Sequence, residues 1–242
     1  MSNQVLKDKE SYVHNLFSRI AKSYDSLNDI MTFSLHRSWK KDLVRDAAKG
    51  IKTNNAKILD LCTGTGDIAD LWIDDQRVTE IIALDSCAPM LESGFLKLRK
   101  KYKGDPPKVH MIEGDAQVLP FDDNSFDAVT IGFGLRNVKD PDACISEIYR
   151  VLKPGAYFAC LDLGHPHIPL IDLIYKNIFL VFIPWLGSLF AKDKAAYQYL
   201  VDSLKTWPPQ QKLSAALYDF GFKRSYYQDI MLGTIAIVVA EK

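Results

Sequence analysis

The sequence predicts an α/β fold: a mostly parallel seven-stranded sheet that ends in an antiparallel C-terminal hairpin. Three observations predict it. Five short apolar runs alternate with stretches of helical periodicity, the pattern of βαβ units whose strands are covered on both faces. Two further strand-like runs close the chain with only about five residues between them, too few for a crossover helix, so that pair must be antiparallel. A glycine turn follows the first apolar run, at the point where a strand gives way to a helix.

Residues 8–50 read as helices, with Leu16, Ile20 and Tyr24 at helical spacing and Trp39, Leu43 and Ala47 repeating it. Segment 1–50 is thus an N-terminal helical lid on a single domain, 1–242. The strands follow at 57–62, 80–85, 109–113, 126–131 and 156–161, with helices from Ala88 to Lys101 and from Pro141 to Leu152. Lys153-Pro154-Gly155 reads as the stop of that second helix. A hydrophobic helical insert occupies 165–215, and the closing strands lie near 223–228 and 234–240. Within the insert, 177–191 (NIFLVFIPWLGSLFA) carries no charge, yet it is shorter than a bilayer span and is broken by Pro184 and Gly187. It is either a buried helix and turn, or a wall for an apolar substrate that dips into lipid.

Composition narrows the function. Lys plus Arg and Asp plus Glu both number 30, so the formal charge is zero, which argues against nucleic acid as the main partner. The basic run Arg99-Lys100-Lys101 reads as a solvated helix end. Cys62, Cys87, Cys144 and Cys160 form no CxxC pair and no Cys/His cluster is present, so no metal is expected. The polar, acid-containing N-terminus is neither a signal nor a transit peptide, which implies a cytoplasmic protein.

The chemistry gathers at Asp60-Leu61-Cys62-Thr63-Gly64-Thr65-Gly66-Asp67. Glycines there let a ligand approach the backbone outside the carboxyl ends of the strands. Asp85 ends the second strand, where a carboxylate accepts from ribose hydroxyls, and Asp115, beside Ala116, follows the third, placed for an adenine amino group. Gly64-x-Gly66-x-x-Ala69 with Asp85 also meets the NAD fingerprint. S-adenosylmethionine is favoured because its sulfonium and ammonium suit the carboxylates of Asp60 and Asp67, whereas a pyrophosphate prefers bare amides. Thr65 is the residue of the turn expected to touch the cofactor.

Further motifs resemble the menaquinone and ubiquinone biosynthesis C-methyltransferases. They are Tyr24-Asp25-Ser26-Leu27-Asn28 with Thr32, His36 and Trp39; Leu119-Pro120-Phe121 with Ser125-Phe126-Asp127; Gly132-Phe133-Gly134-Leu135-Arg136-Asn137-Val138; Arg150 to Gly155; and Tyr197-Gln198-Tyr199-Leu200 with Ser203. The resemblance runs from about Phe17 to Lys242. It departs at Leu27, Thr32 and Ala156, at Asp162-Leu163-Gly164 in place of Glu-x-Ser, and in the last strand, which lacks the family's Gly-Gly and His.

The resemblance implies a Rossmann-like, class I SAM-dependent methyltransferase fold and methylation of a polyprenyl quinol ring carbon. Demethylmenaquinol is favoured over a methoxy-benzoquinol because the chain is compact and lacks organellar targeting. Arg136 is the candidate partner for the developing oxyanion, with Asn137; the bland alternative is a structural pair with Asp140. His36 is the candidate base, or else a core or helix-capping histidine. Tyr24 and Asp25 would line the substrate from the lid, Tyr24 being otherwise a core aromatic. A polyprenyl tail implies peripheral contact with the inner face of a membrane. A homo-oligomer is left open, and the competing readings are an NAD-dependent oxidoreductase and a non-catalytic prenyl-lipid-binding protein.

Overall fold

In the computed structural model, residues 3–173, 175, 203–204 and 206–242 are described. The stretch 177–191, the Tyr197–Leu200 motif and most of the insert 165–215 lie outside them. The chain opens with α1 (Asn3–Ile20), α2 (Tyr24–Thr32) and α3 (Leu35–Ala47). It then alternates through β1 (Ala56–Leu61), α4 (Asp67–Trp72), β2 (Val78–Asp85), α5 (Ala88–Tyr102), β3 (Val109–Glu113), β4 (Phe126–Gly132), α6 (Pro141–Val151) and β5 (Leu152–Leu163). It closes with α7 (Gln210–Ala216), β6 (Arg224–Ile230) and β7 (Ile235–Glu241).

These strands form one seven-stranded sheet in the order β3-β2-β1-β4-β5-β7-β6. β1 pairs in parallel with β2 and β4, so the chain reverses its direction of travel across the sheet beside β1, and that switch point opens the crevice where ligands lie in such sheets. β7 runs antiparallel between β5 and β6, as the short gap demanded. The gap is a 3-10 turn, Met231–Gly233, with Leu232 at φ 61° and Gly233 at φ 90°.

Period-two burial builds the core on both faces. Leu59, Leu61, Val129, Ile131 and Phe158 meet Ile145 and Ile148 of α6, while Ile58, Ile81, Ala128 and Ile237 meet Leu43 of α3 and Trp72 of α4. Residues 153–155 differ from the sequence reading. α6 ends at Val151 and β5 begins at Leu152, so Lys153-Pro154-Gly155 is already strand. Leu152 aligns with Phe126 of β4, and the Gly155 amide donates to Lys242 O at 2.9 Å. Two long-range partners thus hold the segment extended where local sequence signals only a helix stop. The departures at strand five and in the last strand meet in space. A side chain at Gly164 would lie 2.5 Å from Gly233 O, so the glycine just after β5 fits the turn before β7.

Candidate functional site

Beyond β1 the backbone turns through Gly64 at φ +58° and Gly66 at φ +77°, a left-handed path that glycine takes without strain. Strand β2 holds the turn: Asp85 Oδ2 accepts from the Gly64 amide at 2.8 Å and Oδ1 from the Cys87 amide at 2.8 Å. Asp85 also lines a cavity of about 400 Å³, and each of its oxygens keeps acceptor capacity for a ligand hydroxyl. Asp115 and Ala116, after β3, line the same cavity, and the Asp115 carboxylate accepts from the Gln117 amide at 2.9 Å. His14 and Asn15 of α1 close it from above, and Asn137 and Val138 from the β4 side.

The rest of the glycine motif lies behind that wall. Asp60 is fully buried; its Oδ2 accepts from Thr63 Oγ1 at 2.6 Å and its Oδ1 from Thr130 Oγ1 at 2.8 Å. Burial pushes its pKa up to about 7. Thr65 is buried and donates from Oγ1 to Asp25 Oδ1 at 2.6 Å. Asp67 accepts from Lys40 at 2.7 Å and from Lys97 at 2.6 Å, and despite burial these two ammonium groups hold it well below the usual carboxylate range. The carboxylates read as suited to a sulfonium and an ammonium are therefore engaged by the protein itself. Lys97 reaches Asp25 as well, at 2.8 Å, so α2 is tied to the glycine turn.

A second cavity, of about 410 Å³, opens beneath α1, α2 and α3. Its wall is mostly apolar, with Leu16, Phe17, Phe133 and Ile235, but Tyr24, His36, Arg136 and Asn137 all line it. Three separated segments thus bring the four candidate catalytic residues to one chamber. Asn137 lines both cavities and stands at their junction.

Arg136 pairs through Nη1 with the buried carboxylate of Asp162, and also donates to Phe133 O at 3.1 Å. Its partner is not Asp140, which caps α6 by accepting from the Ala143 amide at 3.1 Å. Asp162 comes from the end of β5, where the sequence departs from the family pattern, and no local signal links it to Arg136. Asn137 donates from Nδ2 to Phe133 O at 3.0 Å. Tyr24 meets Phe17 edge-on, ring centroids 6.0 Å apart. His36, in the first turn of α3, is 2 % exposed, and its Nε2 lies 3.0 Å from Asp29 Oδ1. Asp29 was not singled out in the sequence; it is one residue beyond the Tyr24–Asn28 motif, and its contact with His36 depends on the turn between α2 and α3.

Comparison with known proteins agrees with this architecture. The chain matches the ubiE/COQ5 methyltransferase family over residues 4–242. It is 38% identical to the mitochondrial 2-methoxy-6-polyprenyl-1,4-benzoquinol methylase of Arabidopsis thaliana, covering 98% of this chain and 86% of that one. It is 37% identical to the ubiquinone/menaquinone biosynthesis C-methyltransferase UbiE of Francisella tularensis subsp. mediasiatica, with 98% and 93% covered. Among solved structures, a SAM-dependent methyltransferase from Aquifex aeolicus shares the fold with a TM-score of 0.57 at 17% identity, with 82% and 88% covered.

Proposed function

The chain belongs to the ubiE/COQ5 methyltransferase family, and from that premise we propose that it methylates a ring carbon of a polyprenyl quinol, demethylmenaquinol first among the candidates. Its cofactor is S-adenosylmethionine, and membership of this family sets the oxidoreductase reading aside. The observation that carries the proposal is the pair of cavities meeting at Asn137, one lined by strand-end carboxylates and the other mostly apolar.

The donor set of the first cavity suits the cofactor. Asp85 offers carboxylate oxygens to a ribose diol, and Asp115 beside Ala116 offers one to an adenine amino group. Asp85, Asp115 and Ala116 would hold S-adenosylmethionine, which would supply a sulfonium methyl as the electrophile for the ring carbon. The second cavity excludes water from the ring and its apolar substituent. The guanidinium of Arg136 stabilises the oxyanion that develops on the quinol oxygen, with Asn137 beside it. Asp162 holds the guanidinium in place, so little reorganisation is needed as charge appears.

Apolar side chains at the second cavity support membrane contact, since the substrate tail must be drawn from lipid. Phe33 is 88 % exposed and, like Met231, lines that cavity, and Leu232 is exposed beside it. We place the protein in the cytoplasm, peripheral at the inner face of the membrane; failure to float with anionic liposomes would count against this. The deciding assay is turnover with reduced demethylmenaquinone and with the methoxy-benzoquinol side by side. Methylation of neither would overturn the proposal, and methylation of the benzoquinol alone would move it to ubiquinone.

A further inference from the structure

The second cavity holds five ionisable side chains among the described residues: Tyr24, His36, Lys40, Arg136 and Tyr175. A quinol hydroxyl must lose its proton for the ring to become nucleophilic, so one of the neighbouring groups has to accept it. Charged Lys40 and Arg136 have no lone pair to offer, and phenols give protons at neutral pH rather than take them. Lys40 moreover pairs with Asp67 at 2.7 Å. That leaves the imidazole of His36.

The surroundings of His36 set which nitrogen carries the lone pair. Asp29 Oδ1 lies 3.0 Å from Nε2, and the same carboxylate receives a two-pronged contact from Arg37, Nε to Oδ1 at 2.8 Å and Nη2 to Oδ2 at 2.7 Å. Beside this guanidinium the Asp29 carboxyl stays ionised, well below the usual carboxylate range. An ionised carboxylate only accepts, so Nε2 must carry the hydrogen and Nδ1 the lone pair. Nδ1 is buried and has no hydrogen-bond partner among the described residues. A buried imidazole nitrogen without a partner is unfavourable unless a ligand supplies one.

We propose that Asp29 is a positioning residue, which fixes His36 in the tautomer whose Nδ1 takes the proton of the quinol hydroxyl. This rests on the quinol reading above. The O–H bond breaks, an Nδ1–H bond forms, and the oxygen's electron pair is delocalised onto the ring carbon. After that carbon has gained its methyl, its own hydrogen leaves to water as aromaticity returns, and the proton on Nδ1 goes back to the oxygen. The charged groups around the ring are Asp29 on α2, Arg37 and Lys40 on α3, and Asp67 on α4, with Arg136 across the cavity. Burial and Lys40 lower the pKa of His36, which keeps the imidazole neutral at neutral pH and able to accept.

The test pairs Asp29→Asn with His36→Gln in the full-length protein. Nitrogen NMR of wild-type imidazoles should show His36 protonated on Nε2, with a mixed tautomer in Asp29→Asn. At pH 7 kcat should fall about 100-fold in His36→Gln and about tenfold or more in Asp29→Asn, the range for a lost or misdirected general base. S-adenosylhomocysteine affinity should hold in both, which also reports folding. The deficit should shrink as pH rises and the quinol ionises unaided, and the double variant should be no worse than His36→Gln alone. A proton on Nδ1 in the wild type, or a deficit in Asp29→Asn that is equal at every pH, would overturn the proposal. If the wild type methylates no quinol, the substrate reading fails instead; if it does and His36→Gln matches it, only this inference fails.

Discussion

The two cavities are nearly equal in volume, about 400 and 410 Å³, yet they are held by different forces. The cavity proposed for the cofactor stands on the ends of β1 to β4, where ladder hydrogen bonds fix the backbone and Asp85 clamps the glycine turn through the Gly64 amide. The cavity proposed for the substrate is roofed by helices that add no strand. Helix α2 has no fully buried residue, and side chains tie it down: Asp25 to Thr65 and Lys97, Asp29 to His36 and Arg37. Backbone pairing makes a rigid floor, whereas side-chain ties make a roof that opens at lower free energy. The proposed entry of a long apolar substrate needs that asymmetry.

The largest expected effect separates chemistry from binding. Arg136→Ala should lower kcat by about 10²- to 10³-fold, the usual loss for a removed oxyanion donor, while calorimetric affinity for S-adenosylhomocysteine stays unchanged. Removing one partner of a buried pair also leaves Asp162 uncompensated, so Arg136→Ala/Asp162→Asn should recover thermal stability and none of the rate. Recovery of both would make Arg136 a purely structural residue and erase the functional difference between the chambers.

Next in size, Asp85→Ala should weaken S-adenosylhomocysteine binding about 10- to 100-fold, from lost charge-assisted hydrogen bonds and a loosened Gly64 amide. The quinol KM should hardly move. If both ligands weaken equally, the floor and the roof act as one body.

Asp25→Asn loosens the tie between the roof and the glycine turn and should be milder. Contacts of this half-exposed kind are worth about 0.2–1 kcal/mol, so quinol KM should rise by a factor of about five or less. Amide exchange in α2 should quicken while β1 and β4 stay protected. Unchanged exchange in α2 would mean that apolar packing, not the latch, holds it.

The same asymmetry decided what could be read in the sequence. Strands and strand-end residues were legible, because period-two burial and the switch-point rule are local or nearly so: Asp85, Asp115 and Ala116 line one cavity as their positions suggested. The fates of Asp60, Thr65 and Asp67 were not, since Thr130, Asp25, Lys40 and Lys97 reach them from 27 to 70 residues away. The Arg136–Asp162 pair is 26 residues apart and joins adjacent strand ends, which no spacing rule announces. Tyr24, His36, Arg136 and Asn137 were named one at a time, and only the seating of α1 to α3 places them in one chamber.

The smallest effect concerns Asp60, which belongs to the floor without touching its cavity. Thr63 and Thr130 donate to its carboxyl, and Trp72 Nε1 in turn donates to Thr130 Oγ1 at 3.3 Å. Desolvation raises its pKa from 3.8 in the unfolded chain to about 7 in the fold. Between those values the folded state binds the extra proton. The stability contributed is therefore fully present below pH 3.8 and is lost as pH rises through 7. Asp60→Asn removes this titration and keeps one acceptor for the threonine hydroxyls. Melting temperatures of wild type and variant, measured from pH 4 to 8, should thus diverge, with the wild type losing ground as pH rises and the gap levelling off above about pH 8. Because carboxylates such as Asp29 and Asp67 titrate alike in both proteins, the difference isolates Asp60. Parallel curves would show that water or a neighbouring cation keeps Asp60 ionised, and that the floor is less dry than its burial implies.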